Sequence, residues 1–78
     1  MNDDEIRALA AEVLAGIAPE ATLAGVGDDE DLREALDLDS MDFLNFVIAL
    51  GERTGRKIPE AESRRLVTMN GLLAYLRS

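Results

Sequence analysis

Leu36-Asp37-Leu38-Asp39-Ser40-Met41-Asp42-Phe43-Leu44-Asn45-Phe46-Val47-Ile48-Ala49-Leu50 decides how this chain folds. Ahead of it lies a long acidic segment without a clean helical period, and from Met41 onward runs the most apolar helix-like stretch in the sequence. Phe43, Phe46, Val47 and Leu50 recur at i, i+3, i+4 and i+7, the spacing of a core-facing helical stripe. Met41, Leu44 and Ile48 make a second stripe on a neighbouring face. The helix is predicted from about Ser40 to Thr54. Asp39 and Asp42 stand at N-cap and N3 spacing, so each can tie off its start. Ser40 thus falls where loop becomes helix, close to backbone N–H groups that have no intrahelical partner. The positive end of the helix dipole there favours an added anion by about 0.3–1 kcal/mol. A helix buried on two sides would account for both stripes. In a chain this short, however, part of the second stripe is expected to reach the surface near Ser40 and to serve as a contact surface.

The flanking segments supply the rest of a bundle. Ile6, Leu9, Ala10, Val13, Leu14 and Ile17 repeat one helical stripe behind Asp3, Asp4 and Glu5, whose charges suit a first turn. Gly16 and Pro19 are expected to close this helix. Residues 18–39 are expected to form a long loop pinned by Leu23, Val26, Leu32, Leu36 and Leu38, with a short helix over Asp28–Leu36; each buried leucine or valine contributes about 1.5–3 kcal/mol. Gly55 is placed to end the central helix in the left-handed conformation, with Arg53, Arg56 and Lys57 at its negative end. Glu60–Leu66 reads as a short helix of about two turns, and Thr68 as the N-cap of a last helix carrying Met69, Leu72, Leu73 and Leu76. The predicted fold is all-α: a small four-helix bundle of three longer helices and one short, in one domain over residues 1–78.

Composition narrows the function. The 78 residues include no cysteine and no histidine, which removes thiol catalysis, disulfides and the usual general base and metal ligand. Ser40 has neither a histidine partner nor a Gly-x-Ser-x-Gly turn, so it is not expected to be a catalytic nucleophile. Residues 1–52 hold fourteen acids against Arg7 and Arg33, a balance of −12, whereas residues 53–78 carry +4. Such an acidic half repels nucleic acid and steers basic protein surfaces towards itself, or simply keeps the chain soluble. Calcium loops begun at Asp37 or Asp28 place Met41 or Leu32 at the fifth ligand position and fail, leaving no metal site beyond loose divalent-cation binding. The acidic N-terminus is unlike a signal peptide, and no apolar run approaches the ~20 residues of a membrane span, so a cytoplasmic protein without membrane insertion is expected.

Asp39-Ser40-Met41, followed by Asp42 and an amphipathic helix, resembles the modification site of acyl carrier proteins of the free-standing type. The likeness continues through Ile58-Pro59-Glu60 to Tyr75-Leu76. The resemblance implies that a phosphopantetheinyl transferase moves 4′-phosphopantetheine from coenzyme A onto Ser40. The arm's thiol would then carry acyl groups between enzymes, and the chain would have no catalysis of its own. It also implies a long first loop crossing the bundle. Asp39, Met41, Asp42, Leu44, Ile48 and Glu52 are the expected recognition residues for acyl-transferring or synthase enzymes with basic surfaces. Phe43, Phe46, Leu50, Leu66 and Val67 are the expected lining for an acyl chain, unless they form an ordinary dry core. The protein is expected to be a monomer.

Departures from that pattern bear on the pathway. Asn45, Gly51 and Arg53 stand where fatty-acid carriers tend to have acids, pointing to a carrier dedicated to a specialised pathway over the housekeeping one, with fatty-acid, polyketide and other specialised acyl routes all left open. Asp39 before the serine suits an acyl carrier, where peptidyl carriers more often have Gly-Gly. An amino-acid or aryl-acid cargo, and an unmodified acidic helical adaptor, are the alternatives.

Overall fold

Asn2 begins the first helix in a way composition alone did not disclose. Its side-chain oxygen accepts the Glu5 backbone N–H at 2.8 Å, and its own N–H donates to Glu5 Oε1 at 2.9 Å. This reciprocal cap satisfies two otherwise unpaired donors and starts α1 (Asp3–Ile17). The computed structural model describes residues 1–77, and among them the remaining elements are α2 (Leu32–Ala35), α3 (Ser40–Thr54), a 3-10 segment (Glu60–Leu66) and α4 (Met69–Arg77), with no strand. The all-helical architecture and the long stretch between the first helix and the next follow the sequence expectation.

The predicted stripes meet in one core. Ile6, Leu9, Ala10, Val13 and Leu14 of α1 pack with Phe43, Phe46, Val47 and Leu50 of α3, Leu66, and Met69, Leu72, Leu73 and Leu76 of α4. Gly16 does not help close α1 as expected, because the helix runs through it to Ile17. The stop falls at Ala18, the residue that Pro19 pushes out of helical geometry.

The segment between α1 and α3 is held by side chains and by backbone. Leu32 and Leu38 are buried, and Leu23, Val26 and Leu36 are partly so. The Leu32 N–H donates to Val67 O at 2.7 Å, and the Asn70 N–H donates to Asp28 O at 3.0 Å. Arg7 grips the Asp28 carboxylate with two hydrogen bonds of 3.0 and 2.9 Å. These ties explain why the helix expected over Asp28–Leu36 shrinks to Leu32–Ala35. Asp28 is taken up by α1 and α4, and Glu30 turns back to accept the Gly27 N–H at 2.9 Å, so capping passes to Asp31.

Beyond α3 the chain turns on Gly55, whose φ of +72° is the left-handed cap expected of it. The Glu60–Leu66 segment is the short helix of about two turns expected, wound as a 3-10 helix, with Ser63 Oγ donating to Glu60 O at 2.7 Å. Thr68 caps α4 as expected, its hydroxyl accepting the Gly71 N–H at 3.0 Å. Gly71 there faces the Arg65 carbonyl so closely that any Cβ would collide with backbone. Arg77 on Asp3 and Arg53 on Glu12, each at 2.9 Å, link the helices at the surface. Exposed pairs of this kind contribute about 0–1 kcal/mol.

Candidate functional site

The entrance to α3 is built by four residues around Ser40. Asp37 adopts φ +54°, a left-handed turn that aspartate tolerates better than most residues. The turn swings the chain out of α2, and the Leu38 N–H then donates to Arg33 O at 2.8 Å. Leu38 and Phe43 occupy the N′ and N4 positions of a hydrophobic staple, both buried. Asp39 caps the helix, its Oδ1 accepting the Asp42 N–H at 2.8 Å. Ser40 is the first helical residue and is exposed. Among the described residues no group hydrogen-bonds its hydroxyl.

Beside Ser40 lies a depression of about 520 Å³ lined by Arg33, Leu38, Asp39, Ser40, Met41, Phe43, Leu44, Glu60 and Ser63. Its lining mixes apolar side chains with polar and charged ones. Arg33 sits with its guanidinium carbon 5.7 Å from the centre of the Phe43 ring. Its Nε and Nη2 donate to Asp31 at 3.0 and 2.7 Å. Those hydrogen bonds hold the Asp31 carboxyl below its ordinary range and raise Arg33 above its own, so both charges persist across the physiological range.

The expected contact strip reaches the surface in full. Met41 is 64% exposed, Leu44 40% and Ile48 49%, along one face of α3. Asp39 and Glu52 are exposed and Asp42 partly so. The residues expected to line an acyl site belong to one core: Phe46, Leu50 and Leu66 are fully buried, Phe43 nearly so, and Val67 partly. Of these only Phe43 reaches the depression.

Two of the three departures have structural explanations. Gly51 is buried, and a Cβ there would lie 2.9 Å from the Arg56 carbonyl oxygen, so this position could not present an acid to a partner. Arg53 is engaged with Glu12. Sequence reasoning did not assign Arg33, Leu38, Glu60 or Ser63 to the site. Arg33 carried a signal, being one of only two cations in residues 1–52.

A hydroxyl presented but not activated, beside a groove whose lining is partly apolar and holds one cation, is suited to receive a phosphate-linked group from another protein. The family described as "Phosphopantetheine attachment site" matches residues 4–76. An acyl carrier protein of Campylobacter hominis is 32% identical over 75 residues, covering 96% of this chain and 89% of that protein. One of Renibacterium salmoninarum is 32% identical over 80 residues, covering 99% and 94%. A "Polyketide-8 synthase acyl carrier protein 2" of Streptomyces avermitilis is 31% identical over 78 residues, covering 100% and 84%.

Proposed function

The chain belongs to the phosphopantetheine-attachment family, and from that membership we propose that Ser40 is the residue that bears its 4′-phosphopantetheine arm. The protein is an acyl carrier. When bound, the arm supplies a terminal thiol that holds the cargo as a thioester. A chain without cysteine offers no thiol of its own to compete for that cargo.

The observation that carries the assignment is the exposed, unbonded hydroxyl at the first residue of α3, opening on the depression. Asp39 and the Leu38–Phe43 staple fix the helix entrance and thereby where the Ser40 side chain leaves the backbone. The N–H groups of Ser40 and Met41 have no protein partner among the described residues and favour an anion there. The attachment is the work of a phosphopantetheinyl transferase. Ser40 Oγ attacks the pantetheine-side phosphorus of coenzyme A, the P–O bond to the nucleotide breaks, 3′,5′-adenosine bisphosphate leaves, and the hydroxyl proton passes to the transferase.

Acyl carriers work with transferases and synthases, and on this chain the proposed docking face is Met41, Leu44 and Ile48 flanked by Asp39, Asp42 and Glu52. Partners with basic rims around an apolar patch complement it. An acyl chain entering past Phe43 would reach Phe46, Leu50, Leu66 and Val67, provided that α3 and the 3-10 segment part to admit it.

The pathway is a specialised one, a polyketide or similar acyl route, in keeping with the Streptomyces avermitilis relative and with Asn45 and Arg53 in place of acids. No helix among the described residues is long and apolar enough to cross a membrane. A cytoplasmic monomer with one domain over residues 1–78 completes the proposal. Incubation with a broad transferase and coenzyme A tests it: the wild-type chain should gain one arm and Ser40→Ala none. An unmodified wild-type chain would leave a helical adaptor instead.

A further inference from the structure

We propose that Arg33 is a positioning residue for the arm, its guanidinium holding the phosphodiester on Ser40 against the rim of the depression. This rests on Ser40 being the attachment residue. Arg33 and Ser40 line the same depression. The guanidinium lies over the ring of Phe43, which is three residues beyond Ser40 and so on the same face of α3, about one helical turn away.

The cation is organised in advance. Its guanidinium carbon lies 5.7 Å from the centre of the Phe43 ring, and two hydrogen bonds to Asp31 hold its Nε–Nη2 edge. A guanidinium has five N–H donors, and Asp31 takes two, leaving the Nη1 edge without a partner among the described residues. Hydrogen bonds from a cation to a phosphate are roughly twice as strong as neutral ones and keep their geometry when the donor is planar.

The surroundings make this contact selective. Arg33 is the one cation among the residues lining the depression, where Asp39 and Glu60 are acidic. A phosphodiester on Ser40 would therefore be repelled from the acids and drawn to Arg33. Leu38, Phe43 and Leu44 in the same lining would offer apolar contact to the methyl-bearing part of the arm. Arg7, the other cation in residues 1–52, is bound to Asp28 and lines a different cavity, with Leu23 and Met69. It serves as an internal control.

The test uses the full chain, unmodified and loaded by transferase and coenzyme A, with loading verified by intact mass. Side-chain Nε–H resonances of the arginines are compared between the two forms, and the phosphorus linewidth of the loaded form is compared with that of loaded Arg33→Gln. The expected result is a shift of the Arg33 resonance on loading, an unmoved Arg7 resonance, and a narrower phosphorus line in the variant as the phosphate gains freedom. Loading with an unmoved Arg33 resonance, or equal linewidths in both proteins, overturns the positioning role and leaves Ser40 as attachment residue intact. No mass gain overturns both. The wild-type comparison stands by itself should the variant fold poorly.

Discussion

Asp39 Oδ1 accepts the backbone N–H of Asp42 at 2.8 Å, so the two acids bracketing Ser40 are joined by the hydrogen bond that starts α3. The cap and the presentation of the hydroxyl are thus one feature. Asp39→Ala should cost about 1 kcal/mol in urea unfolding, whereas Asp39→Asn, an equally good cap, should cost only a few tenths. Loading by the transferase should slow in both variants if the charge of Asp39 is read by the partner. A normal rate in Asp39→Asn would reduce Asp39 to a structural cap.

Gly71 and Gly16 should respond oppositely to alanine. A Cβ on Gly71 meets the Arg65 carbonyl, so Gly71→Ala must pry α4 from the 3-10 segment, with a cost of about 1–3 kcal/mol. Gly16 lies within α1 with nothing near its would-be Cβ, so Gly16→Ala should stabilise by up to about 1 kcal/mol. Thermal unfolding of the two variants checks both signs.

The Arg7–Asp28 pair makes acid sensitivity local. Hydrogen bonds from Arg7 hold the Asp28 carboxyl below its ordinary value of 3.8. The folded chain therefore binds fewer protons here than the unfolded chain around that pH. The pair's stabilisation is present in full above the ordinary carboxylate range and is lost as pH falls through the depressed folded value. Asp28→Asn should destabilise at neutral pH and flatten the decline in stability below about pH 5. An unchanged pH profile in Asp28→Asn would show that the pair does not hold the loop.

The exposed strip of α3 should separate function from stability. Leu44→Ser or Ile48→Ser should change unfolding free energy by no more than about 0.5 kcal/mol, as at other exposed sites. The same variants should weaken binding to transferase and synthase partners, measured by titration. A large loss of stability with unchanged binding would place the strip in the core's service instead.

The helical stripes were legible because period alone determines which face of α1, α3 and α4 is buried, and both ends of α3 announced themselves through Asp39 and Gly55. The short helix near Asp31 was not. Its length depends on Arg7 and Asn70 reaching Asp28 from distant parts of the chain, and no local pattern encodes such contacts. The 3-10 winding of Glu60–Leu66 escaped for a similar reason, since Gly71, which approaches the Arg65 carbonyl, lies outside that segment. Ser40 was singled out from its motif and its place before an apolar run, and its exposure at the first residue of α3 is what the structure adds. Arg33 was visible only as an odd charge until its side chain was seen over Phe43.

Fragment-ion mass spectrometry of the chain coexpressed with a phosphopantetheinyl transferase most directly tests whether this carrier's arm sits on α3's first residue. The peptide containing Ser40 should appear with one phosphopantetheine and should release it on fragmentation, and Ser40→Ala should stay unmodified while folding normally. Modification on any other serine or threonine, or none on a folded wild-type chain, would contradict it.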